Sequence, residues 1–513
     1  MKKKVIAAAV AATLGHTAAN AVSVNPNGLG EVLLFPYYTT QAGTSGNYDT
    51  LLTIVNTTNR TKAVKVRFLE AKNSFEVLDF NLYLSPRDVW VGVLTQVESQ
   101  VEGEVGNAVT KLITPDNSCT VPAIPAGGVE FRNLQFADNA DGGNLNGGAV
   151  LERTLEGYFE VIEMGVVIDD VDGFIRSTWA THGSNGVPAD CASLNLAWQP
   201  GSGTWSNDRR KAILPPTGGL FGTSSIINVS DGTDYGYDAV SLSAFFVAES
   251  NLDVLHSGPG SLLPNLTSVK PKLSQVVEGN TIVTSTWDTP GQVPVAPVSA
   301  VLMKAFAADD YATDNGIQAE TALVFTMPTK REHLRPTVSS PFTTPFENGQ
   351  ACETVDYLTW DREEQRRVPV LNVDFSPQPV IPPQFNSLCF EANVVNFNHV
   401  NRDPDTATSA LGSTLVNSSI SDAFENGWVR ADFASDLNHQ MIDDDAVQYR
   451  GLPVIGFSVQ RYFNQSVDVG NGQTSLSHYG GLFNHKTSTA IFDTNGVQIA
   501  GHDVNGDRVV LSQ

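Results

Sequence analysis

The run Asp503-Val504-Asn505-Gly506-Asp507 sets oxygen-bearing side chains at alternate positions. A calcium loop presents its ligands at positions 1, 3 and 5 in the same way. Asp503, Asn505 and Asp507 are therefore the candidate metal ligands of this chain, for weakly held calcium. Arg508 stands where such a loop needs glycine, and the sequence supplies no twelfth-position Glu. Asn505-Gly506 also has a complete explanation as a hairpin turn, and that reading takes precedence. Asp169-Asp170-Val171-Asp172-Gly173, Asp309-Asp310 with Asp314, and Asp443-Asp444-Asp445 are further acidic loops. Singly each reads as a solvated loop; together they leave weak, extracellular-type calcium binding as an expectation. Trp198 and Trp205, which flank a Gln-Pro-Gly-Ser-Gly-Thr turn, and Tyr235 with Tyr237 are the glycan-stacking candidates. Aromatic rings in β-proteins serve more often in the core.

Catalytic residues are not assigned. The sequence has no G-x-S-x-G, H-E-x-x-H, phosphate-binding G-x-x-x-x-G-K-[ST] or C-x-x-C. His478 and His485 flank Tyr479-Gly480-Gly481 and read as surface or hydrogen-bonded histidines before they read as metal ligands. With 55 acidic residues, some pair falls at glycosidase spacing by chance, so a carboxylate pair carries no specificity. Apart from calcium, no cofactor is expected.

The elements that must position these residues are strands. Val64, Val66 and Phe68 alternate with Lys65 and Arg67, and Leu78, Phe80, Leu82 and Leu84 alternate with Asp79, Asn81 and Tyr83. Period two predicts half-buried antiparallel strands with one wet face. Leu51–Val55 and Val89–Val93 flank them, and four short strands at this spacing suggest a β-sandwich. Strands are also predicted at Gly157–Val167, 238–248, 321–327, 427–433 and 452–459, with one short helix over Val298–Phe306. The expected fold class is all-β with minor helix, built as antiparallel β-sandwich domains with long loop excursions. The expected division is 1–21 signal peptide, 22–335 β-sandwich region, 336–388 Pro-rich linker or edge segment, and 389–513 a second β region that packs with or completes the first.

Lys2, Lys3 and Lys4, the apolar Val5 to Gly15 and the small-residue site Ala19-Asn20-Ala21 have the order of a secretory signal peptide. The apolar stretch is too short to span a bilayer, and no later run reads as a transmembrane span. In an exported chain an even set of cysteines reads as disulfides. Sequential pairing, Cys119–Cys191 and Cys352–Cys389, keeps each loop within one region. Closing each loop contributes roughly 4 kcal/mol. A formal charge of -24 over 513 residues argues against nucleic acid as a partner, since phosphates call for a basic face.

Four phrases carry a resemblance: Gly-Leu-Gly-Glu-Val-Leu-Leu-Phe-Pro-Tyr-Tyr (28–38), Leu-Asp-Phe-Asn-Leu-Tyr-Leu-Ser-Pro-Arg-Asp-Val-Trp (78–90), Phe-Thr-Met-Pro-Thr-Lys-Arg (325–331) and Gly-Leu-Pro-Val-Ile-Gly-Phe (451–457). They are similar to an uncharacterised family of exported proteobacterial proteins with no established activity. The resemblance implies export from a bacterium and assigns no functional residue. The expected function is an exported surface, extracellular or periplasmic protein, structural or binding, without catalysis. Its expected partners are a cell-surface glycan or copies of itself. The alternatives are a glycan hydrolase using a carboxylate pair and a calcium-assisted glycan-binding module.

Overall fold

The computed structural model describes residues 21–136, 150–247, 255–269, 271–334, 340–346, 350–366, 387–399, 409–422, 424–503 and 506–509. Among the described residues the structure is mostly strand, 47% against 8% helix, with four short helices. The architecture is all-β, made of several antiparallel sheets. No helix among the described residues is long and apolar enough to cross a membrane.

Two sheets form the first sandwich. One runs in the order Ser23–Val24, Val240–Ser243, Val32–Thr39, Glu156–Val167, Thr61–Glu70, Glu76–Leu84, Cys119–Val121, with Ile213–Leu214 paired at the end of Glu156–Val167. The other runs Thr233–Asp238, Leu220–Asn228, Asp49–Asn56, Val89–Glu98, Ala108–Ile113, Val129–Glu130. The four strands predicted over 51–93 thus divide, the inner pair to the first sheet and the outer pair to the second. Leu33, Phe35, Val64, Val66, Phe68 and Val161 meet Leu52, Ile54, Trp90, Leu112 and Ile226 between the layers.

The first sheet is covered on its other side as well. Val32, Leu34, Ala63, Ile162 and Met164 pack there with the helix Ala296–Leu302 and with Met441, Tyr449 and Ile491 of a small C-terminal sheet. This cover overturns the expected wet face. Lys65 and Arg67 are buried, and the face neutralises them across strands: Lys65 Nζ lies 2.5 Å from Asp79, and Arg67 lies 2.7 Å from Glu76 and 2.6 Å from Glu160. Alternating charge marked a covered ionic face, because buried charges persist where partners and hydrogen bonds compensate them.

A second sandwich joins chain regions far apart in sequence. Asn417–Asp422, Ala392–His399, Ala319–Thr326, Ile455–Gly470 and Gln473–Asn484 form one sheet, with its first two strands parallel. Asp356–Asp361, Asn426–Asp432, Phe306–Ala312 and Lys486–Ser488 form the other. Leu323, Phe325, Val395 and Phe397 face Ala307, Tyr311, Val429 and Ala431. The opposite side chains, Ala322, Val324, Val394, Phe457 and Val459, enter the core of the first sandwich. Strands from before and after the Pro-rich stretch therefore alternate in the same sheets, and Asp356–Asp361 of that stretch is itself an edge strand.

Candidate functional site

Both disulfides, Cys119–Cys191 and Cys352–Cys389, are present and close loops of 72 and 37 residues. The first positions an open depression without charged residues among its described lining. It ties the strand Cys119–Val121 to the helix Cys191–Ala197, which begins because Asp190 caps it, accepting from Ser193 N at 3.0 Å and Ser193 Oγ at 2.6 Å. Leu194 and Ala197 bury the inner side of this helix, while Leu196 stays exposed. Between helix, strand and the loop at Pro259 lies a depression of about 650 Å³. Pro122, Leu196, Trp198, Pro200 and Pro259 supply apolar walls, and Asn195 and Gln199 supply amides. None of its described lining residues is ionisable.

Trp198 is held from behind. Its Nε1 donates to Tyr83 Oη at 2.8 Å; Tyr83 Oη lies 3.0 Å from His256 Nε2, and His256 Nδ1 lies 3.0 Å from the Arg209 carbonyl. Passed along this chain, each hydrogen has one acceptor, which makes His256 the neutral tautomer protonated on Nδ1. Burial agrees, pushing the His256 pKa down to about 4. The Tyr83 ring stacks on Trp205, and Trp205 and His256 abut Trp198 with centroids 5.7 and 4.8 Å away. The indole is a fixed wall, with its polar atom already satisfied.

Of the four glycan-stacking candidates, Trp198 lines the depression, and Tyr237 borders a separate cavity with Leu51, Thr53 and Ser224 while staying almost wholly buried. Trp205, Tyr235 and Tyr237 are buried and offer no face to a sugar. Thr233–Asp238 is a strand whose even positions, Asp234, Gly236 and Asp238, take the solvent side, so both tyrosines turn inward. Tyr237 donates to the Tyr37 carbonyl and packs on Phe457. Trp360 and Trp428, not singled out by the sequence reading, stack across neighbouring strands with centroids 4.1 Å apart, so each ring gives one face to the other.

Asp503 and Asp507 are tied to each other by backbone and side-chain bonds. Asp503 Oδ1 accepts from Asp507 N at 3.0 Å, and Gly506 N donates to the Asp503 carbonyl. Asn505 lies outside the described residues. Of the other acidic runs, Asp309 and Asp310 lie not in a loop but in the strand Phe306–Ala312, where Asp309 pairs with His485 at 2.7 Å; Asp170 pairs with Lys211 at 2.9 Å, and Asp443 accepts from Asp445 N and Val447 N. His478 instead bonds the Asp231 carbonyl, so the two histidines do not converge. Among the described residues no group of three or more His, Cys, Asp or Glu is placed to hold a metal.

Several interior ionisable groups engage one another or backbone carbonyls. Arg461 meets Glu320 at 2.5 Å and Asp231 at 3.5 Å between the two sandwiches. Lys330 donates to the carbonyls of Ala351, Leu388 and Phe390 beside the second disulfide, and burial lowers its pKa to about 8. His439 Nε2 lies 3.0 Å from Glu353 Oε2 and its Nδ1 lies 2.9 Å from the Phe433 carbonyl. His333 Nε2 comes within 2.8 Å of Ser299 Oγ, a nucleophile–base distance, yet both residues are sealed from solvent. Comparison with family models, with curated proteins and with solved structures finds no match to this chain.

Proposed function

We propose that this is an exported bacterial protein acting at or outside the cell surface as a binding component without catalytic activity, and that the depression beside Trp198 holds its uncharged partner. The observation that carries the reading is the lining: apolar walls, two amides and no ionisable group among the described residues. Acid–base and nucleophilic catalysis need a titratable or activated group at the reacting atom. Binding needs apolar contact and a few polar anchors. The two disulfides support an oxidising compartment. The lysine-led N-terminus and the four family-like phrases support bacterial export.

The test is rebinding. Native cells stripped of the protein receive purified wild type or Leu196→Asp, a change at an exposed helix position that puts a charge into the depression. The wild type is expected on the envelope fraction, and the variant is expected to rebind about tenfold less. Equal rebinding, or protein confined to the cytoplasm with Met1 intact, overturns the reading.

A further inference from the structure

A second cavity, remote in character from the first, opens where the parallel strands Ala392–His399 and Asn417–Asp422 meet the loop at Ala42–Thr44. Along Ala392–His399 one face changes character. Ala392 and Val394 pack into the shared core, and two residues further on Asn396 and Asn398 line a pocket of about 270 Å³. Asn417 and Ser419 of the neighbouring strand, with Thr44 and Ser409, complete a wall of amides and hydroxyls. The described lining holds no charged and no aromatic side chain.

The pocket is built, not incidental. Tyr48 Oη donates to the Ala410 carbonyl at 2.7 Å, and Ser413 Oγ donates to the buried Glu156 carboxylate at 2.6 Å, which fixes the 409–415 loop as one wall. Gly412 takes a φ of +65° against the Ala42 carbonyl, a position a Cβ would fill, and so lets the two walls close up. Ser409 Oγ donates to Asn396 Oδ1 at 2.9 Å. Asn398 is buried, yet its Oδ1 has no hydrogen-bond partner. A buried acceptor left unpaired costs free energy, and a ligand hydroxyl that donates to it recovers that cost.

We propose that this pocket binds a neutral polyhydroxylated ring, a single saccharide unit. Alcohol groups both donate and accept, as do the Asn and Ser/Thr side chains that face them. Its described lining has no basic residue to hold a phosphate or carboxylate and no carboxylate to hold calcium. A nucleobase would need a flat apolar or aromatic face, which the described lining lacks. The volume falls just below the usual range of ligand pockets, which starts at about 300 Å³, so it suits one ring and not a chain.

The inference stands apart from the Trp198 depression, and its test keeps the two separate. Glucose, galactose and N-acetylglucosamine are titrated individually into the full protein by calorimetry and ligand-observed NMR, with glucuronate and inorganic phosphate as charged probes. At least one neutral sugar is expected to bind saturably. Asn398→Ala should weaken it about tenfold or more, and Leu196→Asp should leave it unchanged. Asn417→Leu, at an exposed position, intrudes on the pocket without touching the core and should weaken binding as much, so the test holds even if Asn398→Ala misfolds. No saturable binding by any neutral sugar overturns the proposal, as does binding that both pocket variants retain or that only the charged probes show.

Discussion

Replacing Glu353 by Gln is expected to destabilise the protein by about 3–5 kcal/mol, the cost of removing one partner from a buried ion pair. Both side chains of the Glu353–His439 pair are fully buried and 3.0 Å apart. Burial alone lowers the His439 pKa, but the bonds to Glu353 and to the Phe433 carbonyl outweigh it and raise the value above 6.5. Burial likewise raises Glu353, and its bonds from His439, Thr343 and Thr344 outweigh that and bring it below 4.5. The His439 contribution is complete below its unfolded pKa and is lost as pH rises through the raised folded value. The Glu353 contribution is complete above its unfolded pKa and is lost as pH falls through the depressed one. Wild type should therefore exceed Glu353→Gln most between about pH 4.5 and 6.5, with the gap narrowing on either side. Urea unfolding from well below pH 4.5 to well above pH 6.5 measures it. A gap below about 1 kcal/mol, or one that does not change with pH, would refute the assignment of these groups to structural pairing.

Protein recovered outside the cytoplasm should begin at Val22, as N-terminal sequencing reads; an intact Met1 there contradicts the signal peptide. Replacing Cys119 and Cys191 together by Ser should cost about 2–5 kcal/mol in urea unfolding and weaken envelope rebinding, because that bond fixes the helix carrying Leu196 and Trp198. Millimolar calcium should raise the melting temperature by a few degrees at most, since ligand at ten times Kd adds about 1.4 kcal/mol. Asp503→Ala with Asp507→Ala should remove part of any rise, and micromolar affinity would reveal a true metal site.

The strands Thr61–Glu70 and Glu76–Leu84 were legible because apolar residues recur at every second position between turn-forming residues. What lies over Lys65 and Arg67 was not, since Glu160, which neutralises Arg67, sits 93 residues away. The sequential disulfides were legible from the cysteine count and spacing. The interleaving of Ala319–Thr326 with Ala392–His399 and Ile455–Gly470 was not, because no local pattern encodes which distant strands pair. Trp198 stood out as an aromatic beside a Pro-Gly turn, but its depression draws on Pro122, the 191–200 stretch and Pro259, segments that the Cys119–Cys191 bond and the fold bring together. Asn396 and Asn398 carry no motif in the sequence, and only the parallel pairing with Asn417–Asp422 turns them into a pocket wall.

The most direct measurement is the retention of purified protein on stripped native envelopes, wild type against Leu196→Asp, with chromogenic glycoside hydrolysis followed in the same samples. The account predicts saturable retention of the wild type, about tenfold weaker retention of the variant, and no turnover by either. Equal retention of the two proteins, or hydrolysis that tracks the protein through purification, would contradict it.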